Sequence, residues 1–225
     1  MLNASLYYLN DLLLCDQVPV ADIAAVCGTP VYIYSLRRVL DNLQGIRSSF
    51  AALNPHIHYS VKANANLTIL RTLVKAGAGM DAVSGGEIFR ALRAGARPET
   101  IVFAGVGKTP AELRYALEQG VGWFNVENVE ECRWLNDLAG QLGRSAVRVA
   151  LRLNPQVAAS THRHIATGHG GAKFGLTTEA ARFLLDSQAD YPHLRFEGIH
   201  VHIGSQLHEV QATAAAVRAA CELAA

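Results

Sequence analysis

Lys62 closes an alternating run, His56-Ile57-His58-Tyr59-Ser60-Val61-Lys62-Ala63-Asn64. Ile57, Tyr59 and Val61 fall on one face and His58, Ser60 and Lys62 on the other, which is the two-residue period of a strand. A lysine at the carboxyl end of a strand in an α/β chain lies where such folds gather their ligands. Buried against a pocket, its amine is a nucleophile toward a carbonyl carbon. That is Schiff-base chemistry, either with an aldol-type substrate or with pyridoxal phosphate. The plain alternative is a solvated strand-end lysine.

Two other clusters bear on that choice. In Glu197-Gly198-Ile199-His200-Val201-His202-Ile203-Gly204, alternation puts Gly198, His200, His202 and Gly204 on one face. The glycines leave room beside the imidazoles for something flat and bulky. Gly204 and Ser205 could offer a backbone N–H and a hydroxyl to a phosphate. His-x-His could also begin a zinc site, but no third ligand stands at matching spacing, so no metal is expected. The second cluster is Asp81-Ala82-Val83-Ser84-Gly85-Gly86-Glu87. It reads equally as an ordinary helix start with acidic residues in its first turn, or as Asp81 in the pocket beside Lys62. In the second case Gly85 and Gly86 let the backbone approach a ligand.

Strands and helices must alternate to carry these residues. Val20–Cys27 is expected to be a short helix ended by Gly28, and Val31–Tyr34 a short strand. Ser35 then caps a helix over Leu36–Ala52. Further strands are expected at Met80–Ser84, Ile101–Ala104, Trp123–Val126, Arg148–Leu153 and Phe196–Ile203. The intervening helices are Leu67–Ala76, Glu87–Ala94, Pro110–Gln119, Val129–Leu142, Thr178–Ser187 and Glu209–Ala225. Thr109-Pro110 with Glu112 marks a capped helix start. This is the βα pattern of a parallel sheet with helices outside.

An open sheet and a closed barrel both fit the pattern. Lys62, Asp81, Glu127, Asn154 and His202 all fall at strand ends, and no Gly-x-Gly-x-x-Gly follows a first strand. Both facts favour a (β/α)8 TIM-type barrel, with about six of the eight strands present. In the strand Arg148–Leu153, the residues Arg148, Ala150 and Arg152 share a face. The polar, glycine-rich segment 154–175 is long enough to suggest a functional loop.

Composition narrows the classes. Of 225 residues half are hydrophobic, and 20 basic residues nearly balance 19 acidic ones. No basic tract argues for nucleic acid or a membrane surface, and no stretch approaches a transmembrane span. Cys15, Cys27, Cys132 and Cys221 are scattered and read as reduced thiols of a cytoplasmic protein, Cys132 and Cys221 as small buried hydrophobes.

Several strings together resemble the bacterial diaminopimelate decarboxylases, in the alanine-racemase-like, fold-type-III family of pyridoxal-phosphate enzymes. They are YSVKANANLTIL at 59–70, GAGMDAVSGGEIFRAL at 77–92, IVFAGVGKT at 101–109, FNVEN at 124–128, LRLNP at 151–155, KFG at 173–175 and HIGSQL at 202–207. The resemblance implies that Lys62 bonds covalently to pyridoxal phosphate and that His202 stacks on its ring. It implies that Ser205 approaches the phosphate, next to the Gly204 donor read above, that Asp81 lies near the lysine, and that Arg152 lines the ring side. Glu87 is a weaker transfer from the adjoining helix. The implied reaction converts meso-2,6-diaminopimelate to L-lysine and carbon dioxide in a homodimer. Ornithine, arginine and carboxynorspermidine decarboxylases share the lysine, aspartate and histidine, and a non-catalytic barrel that binds pyridoxal phosphate is a third reading. The family's Gly-Gly-Gly loop, its Glu-Pro-Gly-Arg segment and its β-domain are not among these 225 residues. The resemblance therefore implies an N-terminal portion with little activity alone. Residues 1–34 would lean on the β-domain, and 35–225 would form the partial barrel.

Overall fold

The computed structural model describes residues 4–157, 174–204 and 210–225. The first elements form a small antiparallel meander: β1 (Leu6–Leu9), β2 (Leu12–Cys15) and β3 (Val18–Pro19). Asn10-Asp11 and Asp16-Gln17 connect them with positive φ at both positions, the backbone that two-residue hairpins require. Helix α1 (Val20–Cys27) follows within its expected bounds. Residues 31–34 are not the expected strand. Their β-branched and aromatic composition favours a strand only where a neighbour completes the ladder.

Helix α2 (Leu36–Ser49) begins at Ser35, whose hydroxyl accepts the Arg38 N–H. Arg37 ties this helix back to the meander through Asp16 and the carbonyl of Ala4. Then come the strands β4 (His58–Ser60), β5 (Gly79–Ala82), β6 (Ile101–Phe103), β7 (Trp123–Val126), β8 (Val147–Leu153) and β9 (Leu194–Val201). All pair in parallel and in chain order, so β4 and β9 are the two edges of an unclosed six-stranded sheet. Between them run α3 (Leu67–Lys75), α4 (Gly85–Arg93), α5 (Pro110–Gln119), α6 (Val129–Gln141) and α7 (Thr178–Asp186), and α8 (Val210–Ala224) comes last.

The strand period divides the sheet into two faces. Met80, Ala82, Phe103, Phe124, Val126, Val149, Leu151 and Leu153 are buried toward the helices. They meet Leu70 and Leu73 of α3, Ile88 of α4, Leu113 of α5, Leu135 of α6 and Leu184 of α7 in one core. The opposite face carries Asp81, Val102, Trp123, Asn125, Arg148, Ala150, Gly198 and His200, which line a cavity of about 1170 Å³. This is the expected TIM-type α/β arrangement, six strands of an eight-stranded plan with the lumen open on one side.

The register has one irregularity. Val149 pairs with Phe196 and Ala150 with Gly198, leaving Glu197 as the extra residue of a bulge. Glu197 there accepts from Arg148 Nε at 2.8 Å, and the Arg148 guanidinium lies 3.9 Å from the centroid of Trp123. Because of the bulge, Gly198 and His200 keep to the lumen face opposite Ala150 and Arg152.

Candidate active site

The expected opening strand is shorter than its alternation suggests. Only His58–Ser60 pairs, and Val61–Ala63 forms a 3-10 turn. Val61 is fully buried and drives this turn into the core, while Lys62 is exposed beyond the strand end. Lys62 is therefore an accessible amine on the carboxyl-end rim, not a buried one on a strand. Asn64 and Asn66 fix the chain that follows, accepting from the N–H groups of Asn66 and Thr68 at 3.0 and 2.9 Å. Arg90 Nε donates to Ala65 O at 2.8 Å and anchors the turn to α4.

Asp81 faces the lumen within β5 and accepts from Ser60 Oγ at 2.9 Å. Glu87 turns the other way. It accepts the Val83 N–H at 2.9 Å while its own N–H reaches the Ser84 hydroxyl, so it braces the turn after Asp81. Gly85 meets protein rather than an open approach: its N–H goes to Glu112 Oε1, and a Cβ there would lie 3.3 Å from Glu112 Cγ.

Arg152, on the lumen face of β8, is buried and held by Glu127, just past β7. One guanidinium nitrogen donates to both carboxylate oxygens, at 2.6 and 2.8 Å. His200 and His202 face this pair from β9 and the residue after it. Burial is the first cause that lowers the basicity of both imidazoles, and the charge of Arg152 is the second. His200 is pulled down to about 4, with the imidazole of His202 and the ammonium of Lys108 adding to the effect. For His202 the charge of Lys62 acts in the same direction, while Asp81 and Glu127 oppose it. Both rings are thus neutral at pH 7. The charges of Arg152, Lys62, Asp81 and Glu127 thus all act on His202, and that of Arg152 acts on His200 as well.

Gly204 follows His202 with φ of 131°, a conformation that suits glycine. Ser205 and residues 158–173 lie outside the described residues, so the expected hydroxyl donor and most of the long loop do too. Among the described residues no group of three or more His, Cys, Asp or Glu could hold a metal ion. Cys132 is buried and its thiol is pushed up to about 12 by burial, but Cys221 is exposed, contrary to its helical pattern. Sequence reasoning missed Lys108 and Glu131, a fully buried pair joined at 2.6 Å. Lys108 follows a strand end just as Lys62 does, and that was the available signal.

An exposed amine, a flat neutral imidazole and a fixed guanidinium at the strand ends of an α/β barrel form a donor set that a carbonyl-bearing, anionic ring compound would suit. The buried Nδ1 of His200 has no hydrogen-bond partner and is one further polar atom beside it. This donor set fits pyridoxal phosphate. Residues 36–225 match the family model described as pyridoxal-dependent decarboxylase, pyridoxal binding domain, and the chain belongs to that family.

The chain is 44% identical over 208 residues to a diaminopimelate decarboxylase of Zymomonas mobilis, covering 89% of this chain and 48% of the relative. It is 46% identical over 193 residues to that of Vibrio cholerae, covering 85% and 46%. The crystal structure of a diaminopimelate decarboxylase from M. jannaschii in co-complex with L-lysine superposes with a TM-score of 0.89 at 32% identity. That match covers 99% of this chain and 53% of the other. The chain spans about half the length of the curated relatives it matches.

Proposed function

We propose that these residues supply the lysine-bearing part of a decarboxylase that converts meso-2,6-diaminopimelate to L-lysine and carbon dioxide. The observation that carries this reading is the exposed Lys62 amine just past β4, whose charge acts on His202 together with those of Arg152 and Asp81. The names of the relatives and the lysine complex of a structural neighbour support the substrate. In this reading Lys62 would hold the cofactor covalently. His202 would support its ring face, and Gly204 and Ser205 would take its phosphate. Asp81 lies beside the lysine, Arg152 lines the ring side, and Glu87 holds the turn that presents Asp81. Pyridoxal phosphate, when bound, accepts the electron pair left behind as carbon dioxide departs.

The same reading gives the working enzyme as a cytoplasmic homodimer, with residues 1–34 leaning on a β-domain. Among the described residues no helix is long and apolar enough to cross a membrane. Adding pyridoxal phosphate, reducing with borohydride and mapping peptides tests the central assignment. The label is expected on Lys62. A label on Lys108 or another lysine, or none, would overturn it. The substrate is tested in the longest reading frame that carries these residues, with diaminopimelate, ornithine and arginine compared. Preference for either of the last two replaces the proposed substrate.

A further inference from the structure

Four charged side chains form one chain of contacts beneath the rim, and all four are buried. Lys108 Nζ donates to Gly105 O at 2.8 Å, to Asn125 O at 2.7 Å and to Glu131 Oε1 at 2.6 Å. An ammonium has three donors, so all are engaged. Glu131 Oε2 accepts the Glu127 N–H at 3.3 Å, and the Glu127 carboxylate holds Arg152. The chain runs from the loop after β6, across the end of β7 and the first turn of α6, to β8. Buried ion pairs contribute little to stability relative to packed apolar residues, because desolvation offsets their attraction. Geometry is what this set supplies.

We propose that Glu127 is a positioning residue that fixes Arg152 against the His200–His202 face, and that Glu131 and Lys108 in turn fix Glu127. The main chain of Arg152 is held as tightly as its side chain. Its carbonyl accepts from Leu176 N at 2.7 Å, and Asn154 N donates back to Leu176 O at 2.9 Å. Gly175 makes this approach possible: its φ is +87°, and a Cβ would lie 2.9 Å from Arg152 O. The Phe174 ring is 5.8 Å from the guanidinium carbon. The segment that returns from the long loop thus docks on the residue that Glu127 orients.

The consequence falls on the histidines. With its cation fixed, Arg152 acts with burial to keep both imidazoles neutral. Lys62 after β4, Asp81 on β5, Glu127 after β7 and Lys108 after β6 are the other charges facing them. A neutral ring can lie flat on a cationic heterocycle without charge repulsion. That last step rests on the proposed use of pyridoxal phosphate, whereas the positioning of Arg152 does not.

The test uses the whole 225-residue chain. Nitrogen-15 NMR of arginine side chains should show resolved, slowly rotating guanidinium signals for Arg152. Glu127→Gln should collapse them to one averaged signal, and Glu127→Asp should restore them in part. Lys108→Met should also collapse them. Should that variant not fold, the isosteric Glu131→Gln takes its place with the same expectation. Pyridoxal phosphate affinity, followed by absorbance, should fall at least tenfold in Glu127→Gln. A lowered melting temperature with unchanged Arg152 signals would show a merely structural role and overturn the proposal. If the wild-type chain binds no pyridoxal phosphate, the cofactor reading fails, while the NMR result still decides this one.

Discussion

Ser60 donates its hydroxyl to Oδ2 of Asp81 at 2.9 Å, one rung before the turn that carries Lys62. Ser60 and Asp81 are also register partners of β4 and β5. The bond ties an edge strand of three residues to its neighbour at the place where the reactive amine emerges. It also fixes the Asp81 carboxylate on the lumen face of β5. Ser60→Ala should lower stability by about 1–2 kcal/mol, as expected for loss of a hydrogen bond to a charged acceptor. Urea denaturation measures it. An unchanged midpoint would mean that water replaces the hydroxyl and that β4 is held by its backbone alone.

Acid should weaken the fold through His200. Its imidazole is pulled from the ordinary 6.5 to about 4, first by burial and then by Arg152. The unfolded chain therefore takes up a proton at a pH where the folded chain does not. The sign is fixed by that order: stability is fully present above 6.5 and is lost as pH falls toward 4. The loss is at most on the order of 3 kcal/mol for this group. His58 and His202 shift in the same direction and steepen the same window. Melting temperature against pH should fall between these values and should flatten in His200→Gln. An equal slope in that variant would assign the acid sensitivity to other groups.

Glu112 joins two helices. It closes the capping box of α5 with Thr109 and reaches across to Gly85 N at 2.9 Å in the first turn of α4. The bond from Gly85 is the leading cause that lowers its pKa, with those from Thr109 adding to it. Glu112→Ala should cost about 1–3 kcal/mol, since a cap and a charge-assisted bond are lost together. The contribution is present above the usual carboxylate range and disappears as pH falls through and below it. The difference from wild type, measured by urea at pH 7 and at pH 3, should therefore shrink at pH 3. A constant difference would leave only helix propensity as its cause.

Gly79 opens β5 where no side chain fits. A Cβ would lie 2.4 Å from His58 Nδ1 and 2.7 Å from the Thr100 carbonyl. The imidazole can rotate away, but the carbonyl is main chain, in the 3-10 turn that leads directly into β6. Gly79→Ala should destabilise by about 2–4 kcal/mol, because overpacking against backbone must push strands apart. Thermal unfolding of the variant checks this. A neutral effect would mean that β5 and β6 can separate at this end without cost.

Local signals were legible wherever one segment settles its own conformation. Thr109, Pro110 and Glu112 start α5, and Gly120 ends it in the left-handed region, as their types require. The period of two in 123–126 and 148–153 marks β7 and β8 and assigns Arg152 to the lumen face. Lys62 at the rim was legible from alternation and a strand end. Its exposure was not, because it depends on Val61 finding a cavity among core residues of other elements. Residues 31–34 failed as a strand for the same reason in reverse: among the described residues no strand pairs with them to complete the ladder.

The charges of the site show the division most plainly. The sequence by itself determines that Glu127, Glu131, Lys108 and Arg152 exist and that each falls near a strand or helix end. Which carboxylate meets which cation is decided only in the tertiary structure. Glu127 follows β7 whereas Arg152 is within β8, and Lys108 precedes Glu131 by a helix and a strand. Secondary structure depends on interactions within a few residues. The partner of a buried charge depends on register across the sheet, and that is set only when every strand packs its apolar face on the same helices.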